Sequence, residues 1–359
     1  MRSWTVLVAV ALAFGSMRPG VAQAPARNVV VITIDGLRWQ EMFTGADREY
    51  FKKEKNGQPG AAETRFWRDT AEERRAAMMP FVWSTIAAKG QIFGDPSKNS
   101  RAHVTNGLWF SYPGYNEMFS GAADPRVDSN DKVPNPNVTV LEWLNTRQGF
   151  QGRVAAFGSW DVLPSILNTG RSHLPVGSGF TPVPSPRTDR ERAINELAAD
   201  LPPYWDYGPF DAPIVYAALE SLRTAKPRVL YIMLGEGDEW AHAGKYDLYL
   251  DSAFRADRFI RRVWDTLHTI PEYKDKTTLL VTTDHGRGDT IKDWTDHGKK
   301  VPAAESTWML ALGPGVPPLG VRASVTVTTS QLAATIAAVV GENFQAAVPK
   351  AADPLPLAK

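Results

Sequence analysis

Six side chains in this sequence have the types and the spacing to hold metal ions: Asp35, Asp238, His242, Asp284, His285 and His297. Carboxylate and imidazole are what Zn2+ or Mn2+ takes where thiolate is absent. The chain has only six histidines, and three of them fall in this set. Asp238 and His242 are four apart, so on a helix they face one side and can share an ion. Asp284 and His285 are adjacent, with Gly286 and Gly288 behind them to let the backbone turn. Six such ligands exceed what one tetrahedral zinc needs. Two ions sharing a nucleophile is the simpler arrangement.

The elements that must position these groups are legible as apolar runs. Residues 28–34 (NVVVITI) lead into Asp35, 228–234 (RVLYIML) into Asp238, and 277–282 (TTLLVT) into Asp284. Runs this rich in β-branched residues read as buried parallel strands. Residues 153–157 and 307–312 are further strand candidates. Helical spacing appears at 73–89 with a break at Pro80, at 139–146, 212–224 and 250–269, and at 330–340 as a capped helix stopped by Gly341. Strands alternating with helices predict an α/β fold with a doubly wound, mostly parallel sheet flanked by helices. Ligands bind such sheets beyond the carboxyl ends of the strands. A lone Asp after a strand usually caps the next helix. Three of them, two with a nearby His, are not explained that way.

The organisation expected is a leader at 1–24 and a single α/β domain over 25–359. Insertions near 44–75 and 168–212 form a small cap or plain surface loop. The leader has Arg2, an apolar stretch over 4–14 too short to span a bilayer, and Ala22-Gln23-Ala24 as a cleavage pattern. Cleavage after Ala22 is the alternative, because Pro25 follows. Export to the periplasm or medium, with no stable membrane span after cleavage, is the expectation. The chain has no cysteine, which removes disulfides, thiolate ligands and thiol catalysis. A formal net charge of +1 with no long run of one sign gives no nucleic-acid groove.

A nucleophile candidate lies in Ser111-Tyr112-Pro113-Gly114-Tyr115-Asn116. Pro113 and Gly114 predict a sharp turn into a helix over 115–120, ended by Gly121. A serine at a helix N-terminus sits in positive potential, which favours an attacking oxygen and an anionic substrate. The alternative is a serine that only caps that helix.

In this order the pieces resemble the alkaline phosphatase superfamily, in particular its nucleotide pyrophosphatase/phosphodiesterase-like branch. The pieces are VVVITI-Asp35-Gly36, Ser111-Tyr112-Pro113, Asp238-x-x-x-His242, Asp284-His285-Gly286 and Asp296-His297-Gly298. The resemblance implies that Asp35, Ser111, Asp284 and His285 hold one zinc, and Asp238, His242 and His297 the other. It implies that Asn130 stabilises a phosphoryl oxygen, with Asn135 and Asn137 as rivals. It implies a small-molecule phosphate ester, diester or monoester, cleaved through a phosphoseryl intermediate on Ser111. The ions would supply the charge that makes the Ser111 oxygen nucleophilic.

Two departures bear on substrate. Sulfatases carry an arginine where this chain has Tyr115, which counts against a sulfatase. No motif matches the arginine by which phosphomonoesterases grip phosphate; Arg38 and Arg287 lie near ligand blocks but read as surface residues. Trp39, Tyr112, Tyr115 and Trp160 are candidates to flank an aromatic leaving group, and Glu236 reads as a loop residue. Sulfate-ester or phosphonate hydrolysis on the same scaffold, or a non-catalytic exported binding protein, are the alternatives.

Overall fold

The computed structural model describes residues 27–52, 58–206, 208 and 210–358; the expected leader lies outside them. Eleven strands occur among the described residues: β1 Asn28–Ile34, β2 Gln91–Phe93, β3 Arg101–His103, β4 Val154–Gly158, β5 Val176–Ser178, β6 Val229–Leu234, β7 Thr277–Thr282, β8 Ser306–Thr307, β9 Met309–Leu312, β10 Gly320–Val321 and β11 Thr326–Thr328. One sheet runs β10-β2-β9-β7-β1-β6-β4-β5, and a small one runs β11-β3-β8. In the large sheet only β9 runs against its neighbours. The predicted α/β class and mostly parallel sheet are therefore as observed.

The continuous apolar runs follow from burial on both faces. Val30, Ile32 and Ile34 of β1 point into one core with the helices Asp211–Thr224 and Tyr246–Thr269. Val29 and Val31 point into the other, with Ser111–Ser120, Val140–Thr146 and Gln331–Val339. A half-exposed sheet would require alternation with polar residues, and β1 has none outside Asn28 and Thr33.

Several expectations need correction. The strand expected over 307–312 is two strands, because Trp308 turns inward and its indole Nε1 donates to the Leu37 carbonyl at 2.8 Å. The helix at Gln331–Val339 has no side-chain cap: Ser330 Oγ instead pairs with Thr328 Oγ1 at 2.6 Å. Residues 168–212 do more than cover the sheet, since β5 is its edge strand and the helix Asp189–Asp200 packs beside Asp211–Thr224. Residues 44–75 include the helix Ala61–Phe66, which lies on Tyr246–Thr269 with Phe66 against Phe254.

Pro80 breaks the expected helix over 73–89 into Ala71–Met78 and a wider-wound turn at Val82–Ile86. The N–H groups of Phe81 and Val82, freed at this break, are taken by the buried Asp257 carboxylate, each at 2.9 Å. Asp257→Ala is expected to lower the unfolding free energy by about 1–3 kcal/mol in urea denaturation, since two buried donors lose their acceptor. Stability equal to the parent's would refute that role.

Candidate metal centre

β6, β1 and β7 are adjacent and parallel, and each ends in a turn that carries a site acid. Asp35 directly follows β1, Asp284 and His285 follow β7, and Asp238 sits in the helix Glu236–His242 after β6. That helix puts Asp238 and His242 on one side, with His242 Nε2 3.1 Å from Asp238 Oδ2. His297 arrives on the segment before β8. All six predicted ligand residues therefore meet at one sheet end.

They form two overlapping groups. Around His285 Nε2 lie Asp35 Oδ1 and Asp284 Oδ2, each at 3.4 Å, and Ser111 Oγ at 3.3 Å. Beside them, His242 Nε2 and His297 Nε2 are 3.0 Å apart, and His297 Nε2 is 3.8 Å from Asp238 Oδ1. Two subsets have geometry close enough for a shared ion: Asp35 with Asp284 and His285, and Asp238 with His285 and His297. His285 therefore stands between the groups, and the rings of His285 and His297 stack at 4.0 Å.

The donor atoms show what is needed at the centre. His285 Nδ1–H donates to the Gly286 carbonyl at 2.8 Å. A carbonyl only accepts, so the proton of the neutral ring is on Nδ1 and the Nε2 lone pair faces the carboxylates. Burial pushes this imidazole down to about 4, so it is neutral at pH 7. Asp35 Oδ1 and Asp284 Oδ2 are buried and without a hydrogen-bond partner. Lone pairs thus converge on one point with no hydrogen bond to satisfy the two carboxylate oxygens. Two carboxylates under 5 Å apart repel by roughly 3–4 kcal/mol even at an effective dielectric of about 20. A divalent cation fits this donor set, and its charge removes the repulsion.

The acids respond to the crowding. Burial, then the neighbouring Asp238, pushes the Asp35 carboxyl up to about 8. Burial and the same neighbours raise Asp284 well above the carboxylate range. Burial would raise Asp238 too, but Arg287, then His297 and His242, override it and hold it well below. Asp35 Oδ2 also accepts from the Tyr115 hydroxyl at 2.8 Å, and Asp284 Oδ1 from Gly36 N–H at 3.1 Å.

Ser111 is the first residue of its helix, not a residue ahead of the expected turn, and Pro113 and Gly114 lie within the first turn. Phe110 occupies the cap position, so Ser111 does not cap the helix. Its hydroxyl is free to face His285. Gly114 lets the helix approach: a Cβ there would come within 2.7 Å of the Asp284 carbonyl oxygen. Tyr112 N–H donates to Asn130 Oδ1 at 3.0 Å, which fixes the amide and leaves its NH2 for the cavity.

A cavity of about 580 Å3 opens above this floor. Ser111, Asp35, Asp238, His242 and His297 line its base, and Asn130, Lys132, Trp160, Asp161 and Trp205 its walls. Asn135 and Asn137 are buried away from it, bonded to Ile166 and to Asn116 and Asp124. Of the four candidate aromatics only Trp160 lines it. Tyr112 and Tyr115 are buried, and Trp39 packs on the core. Arg38 and Arg287 are fully buried, contrary to the surface reading. Arg38 pairs with Glu41 and lies over Tyr50, and Arg287 pairs with Asp238. Glu236 is no loop residue: it starts the helix, buried, and pairs with Arg255. The sequence reading missed Lys132 and Trp205. Lys132 was findable, because it sits two residues from Asn130 in the same turn.

A pH dependence follows from Asp35. Without metal the folded state holds a proton that the unfolded chain releases, because the carboxyl is raised from 3.8 to about 8. Folded protein then binds more protons than unfolded protein across that window, so stability falls as pH rises through it. Above the range in which His285 and His297, both held neutral in the fold, give the opposite slope, the free energy of unfolding of metal-free protein is expected to decrease as pH rises from 7 through 8, with Zn2+ abolishing the decrease and releasing protons on binding. A flat profile in the metal-free protein would contradict the crowding described here.

Residues 211–344 match the family described as the Metalloenzyme superfamily. No curated protein sequence matches the chain. Among solved structures it is similar to Ps i-CgsB, with TM-score 0.58 and 15% identity over 92% of this chain and 75% of that one. It is similar to a protein in the alkaline phosphatase superfamily from Vibrio parahaemolyticus, with TM-score 0.53 and 12% identity over 89% and 68%. It is also similar to the phosphonate monoester hydrolase of Agrobacterium radiobacter, with TM-score 0.52 and 13% identity over 89% and 74%. At these identities the likeness is one of fold. By the match over residues 211–344 and by that fold, the chain is similar to the alkaline phosphatase-like metalloenzymes.

Proposed function

We propose that this chain is an exported two-metal hydrolase of the nucleotide pyrophosphatase/phosphodiesterase-like branch, cleaving phosphate esters through a phosphoseryl intermediate on Ser111. The observation that carries the reading is the Ser111 hydroxyl. It stands at the start of a ten-residue helix, 3.3 Å from His285 Nε2, on the floor of the cavity. Asp35, Ser111, Asp284 and His285 hold one ion in this reading, and Asp238, His242 and His297 the other. Zinc suits the nitrogen and oxygen donors. When bound, the ions supply positive charge to the Ser111 oxygen, the leaving oxygen and the oxygens on phosphorus.

The chain's own groups do the rest. Ser111 Oγ gives up its proton to solvent and forms the bond to phosphorus. The ester oxygen on the opposite side leaves with the electron pair of the broken bond and takes a proton from water. A second water then attacks the phosphoserine, the P–Oγ bond breaks, and Ser111 recovers a proton. The helix N-terminus and the Asn130 NH2 point at the oxygens of the transferred group. Tyr115, where sulfatases have arginine, is spent on Asp35 and argues against sulfate esters.

The walls bear on the leaving group. Asp131, Asp161, Glu236 and Glu239 line the cavity, Lys132 pairing with Asp161 at 2.6 Å and Arg255 with Glu236. Trp160 and Trp205 offer flat apolar surface, so an aromatic or apolar leaving group is favoured. The export part of the reading rests on the leader pattern at 1–24.

Ser111→Ala is expected to lower turnover of bis-nitrophenyl phosphate by about 1,000-fold or more while retaining bound zinc. Full activity in that variant, or purified protein without stoichiometric metal, would end the proposal. Nitrophenyl phosphate, phosphonate and sulfate esters assayed beside the diester rank the substrate classes. Trp160→Ala is expected to raise KM for the aromatic diester several-fold with kcat little changed; an unchanged KM would remove Trp160 from the leaving-group wall.

A further inference from the structure

We propose that Arg287 makes the two metal positions unequal, so that the ion at Asp35, Asp284, His285 and Ser111 is retained and the ion at Asp238, His242 and His297 is exchangeable. This rests on the two-metal reading above.

The guanidinium is fully enclosed and does not line the cavity. Nη1 pairs with Asp238 Oδ1, Nε donates to the Trp294 carbonyl at 3.1 Å, and Nη2 donates to the Thr295 carbonyl. Trp294 and Thr295 lead into His297. One side chain therefore ties Asp238 to the segment that carries His297. Space for it is provided at Gly36, which has φ +60° and where a Cβ would collide with both Asp238 Oδ1 and Arg287 Nη1. A charge held this deeply by three partners belongs to the site and not to the surface.

The charge count then differs between the positions. Asp35 and Asp284 bring two negative charges, and their other partners, the Tyr115 hydroxyl and Gly36 N–H, are neutral. Asp238 brings one negative charge, and Arg287 cancels it. A divalent ion is strongly attracted to the first set and meets a fixed positive charge beside the second. An orienting hydrogen bond works the other way, because a partner that fixes a ligand improves affinity by roughly 10–100-fold. Repulsion between a buried guanidinium and a divalent ion a few ångströms away exceeds that gain at an effective dielectric of about 20. Removing the arginine charge should therefore tighten the second position. A purely structural role for Arg287 predicts the opposite sign.

The test is a titration of metal-free protein with Zn2+ against a chromogenic chelator, with ions per chain counted after desalting. Wild type is expected to bind in two steps at least about 100-fold apart, keeping one ion through desalting. In Arg287→Gln the second step should tighten by about tenfold or more with the first unchanged, and Arg287→Lys should restore the weak second step. His242→Ala should remove the weak step alone. Two steps of equal affinity in wild type overturn the inference, as does a weakened second step in a folded Arg287→Gln protein or loss of the tight step in His242→Ala. If Arg287→Gln does not fold, the wild-type and His242→Ala titrations decide. Failure of wild type to bind any zinc would overturn the two-metal reading itself, and this inference with it.

Discussion

Mutual repulsion among Asp35, Asp238 and Asp284 is the constraint on which the rest of this structure depends. Water would separate and solvate these carboxylates; here they are buried at 4%, 7% and 0% exposure. A domain is stable by only about 5–15 kcal/mol, and several pairwise repulsions of a few kcal/mol each would consume that. The convergence survives because compensating charge is built around it. Arg287 neutralises Asp238, hydrogen bonds from Tyr115 and Gly36 lean on Asp35 and Asp284, and the remaining lone pairs face a position suited to a cation.

The fold supplies the rigidity this requires. β6, β1 and β7 are paired along nearly their whole lengths, and both faces of β1 are packed. A strand end in the middle of such a sheet cannot retreat from its neighbours when charges accumulate there. The helix Ser111–Ser120 is pressed down on Asp284 through Gly114, which brings a hydroxyl to the same point. Trp308 performs a similar task on the other side: its indole anchors the Leu37 carbonyl, two residues beyond Asp35.

What the sequence disclosed and what it hid follow from range of interaction. The strands before Asp35, Asp238 and Asp284 were legible because two-sided burial writes an unbroken apolar run. The pairing of Asp238 with His242 was legible because helical spacing is local. The short strands β2, β3, β5, β10 and β11 carry two or three residues each, too few to establish a period. The burial of Arg38 and Arg287 was misread for a different reason. A charged side chain is buried only where its partners are, and the fold brings the Gly288 carbonyl to Arg38 and Asp238 to Arg287. Trp205 was missed because no spacing rule links a loop to a cavity formed by other loops.

The two halves of the site also come from different parts of the structure, and this separates chemistry from selectivity. Asp35, Asp284 and His285 lie on turns at central strand ends, and Asp238 in the short helix that follows β6, where packing opposes movement. The walls come from residues 130–132 and 159–162 and from Trp205 and Gly208, which are loops beyond the sheet or at its β4 and β5 edge. Those loops are tied down at single points, among them Tyr112 N–H to Asn130, Ser159 Oγ to Asp211 and Lys132 to Asp161. Changing Trp160, Trp205 or Lys132 alters the space and charge offered to a leaving group without disturbing the strand ends beneath. A centre fixed by repulsion tolerates little variation, whereas its walls tolerate a great deal. The shape and charge of the cavity are thus set by loop sequence at Trp160, Trp205 and the Lys132–Asp161 pair, apart from the fold that holds the centre.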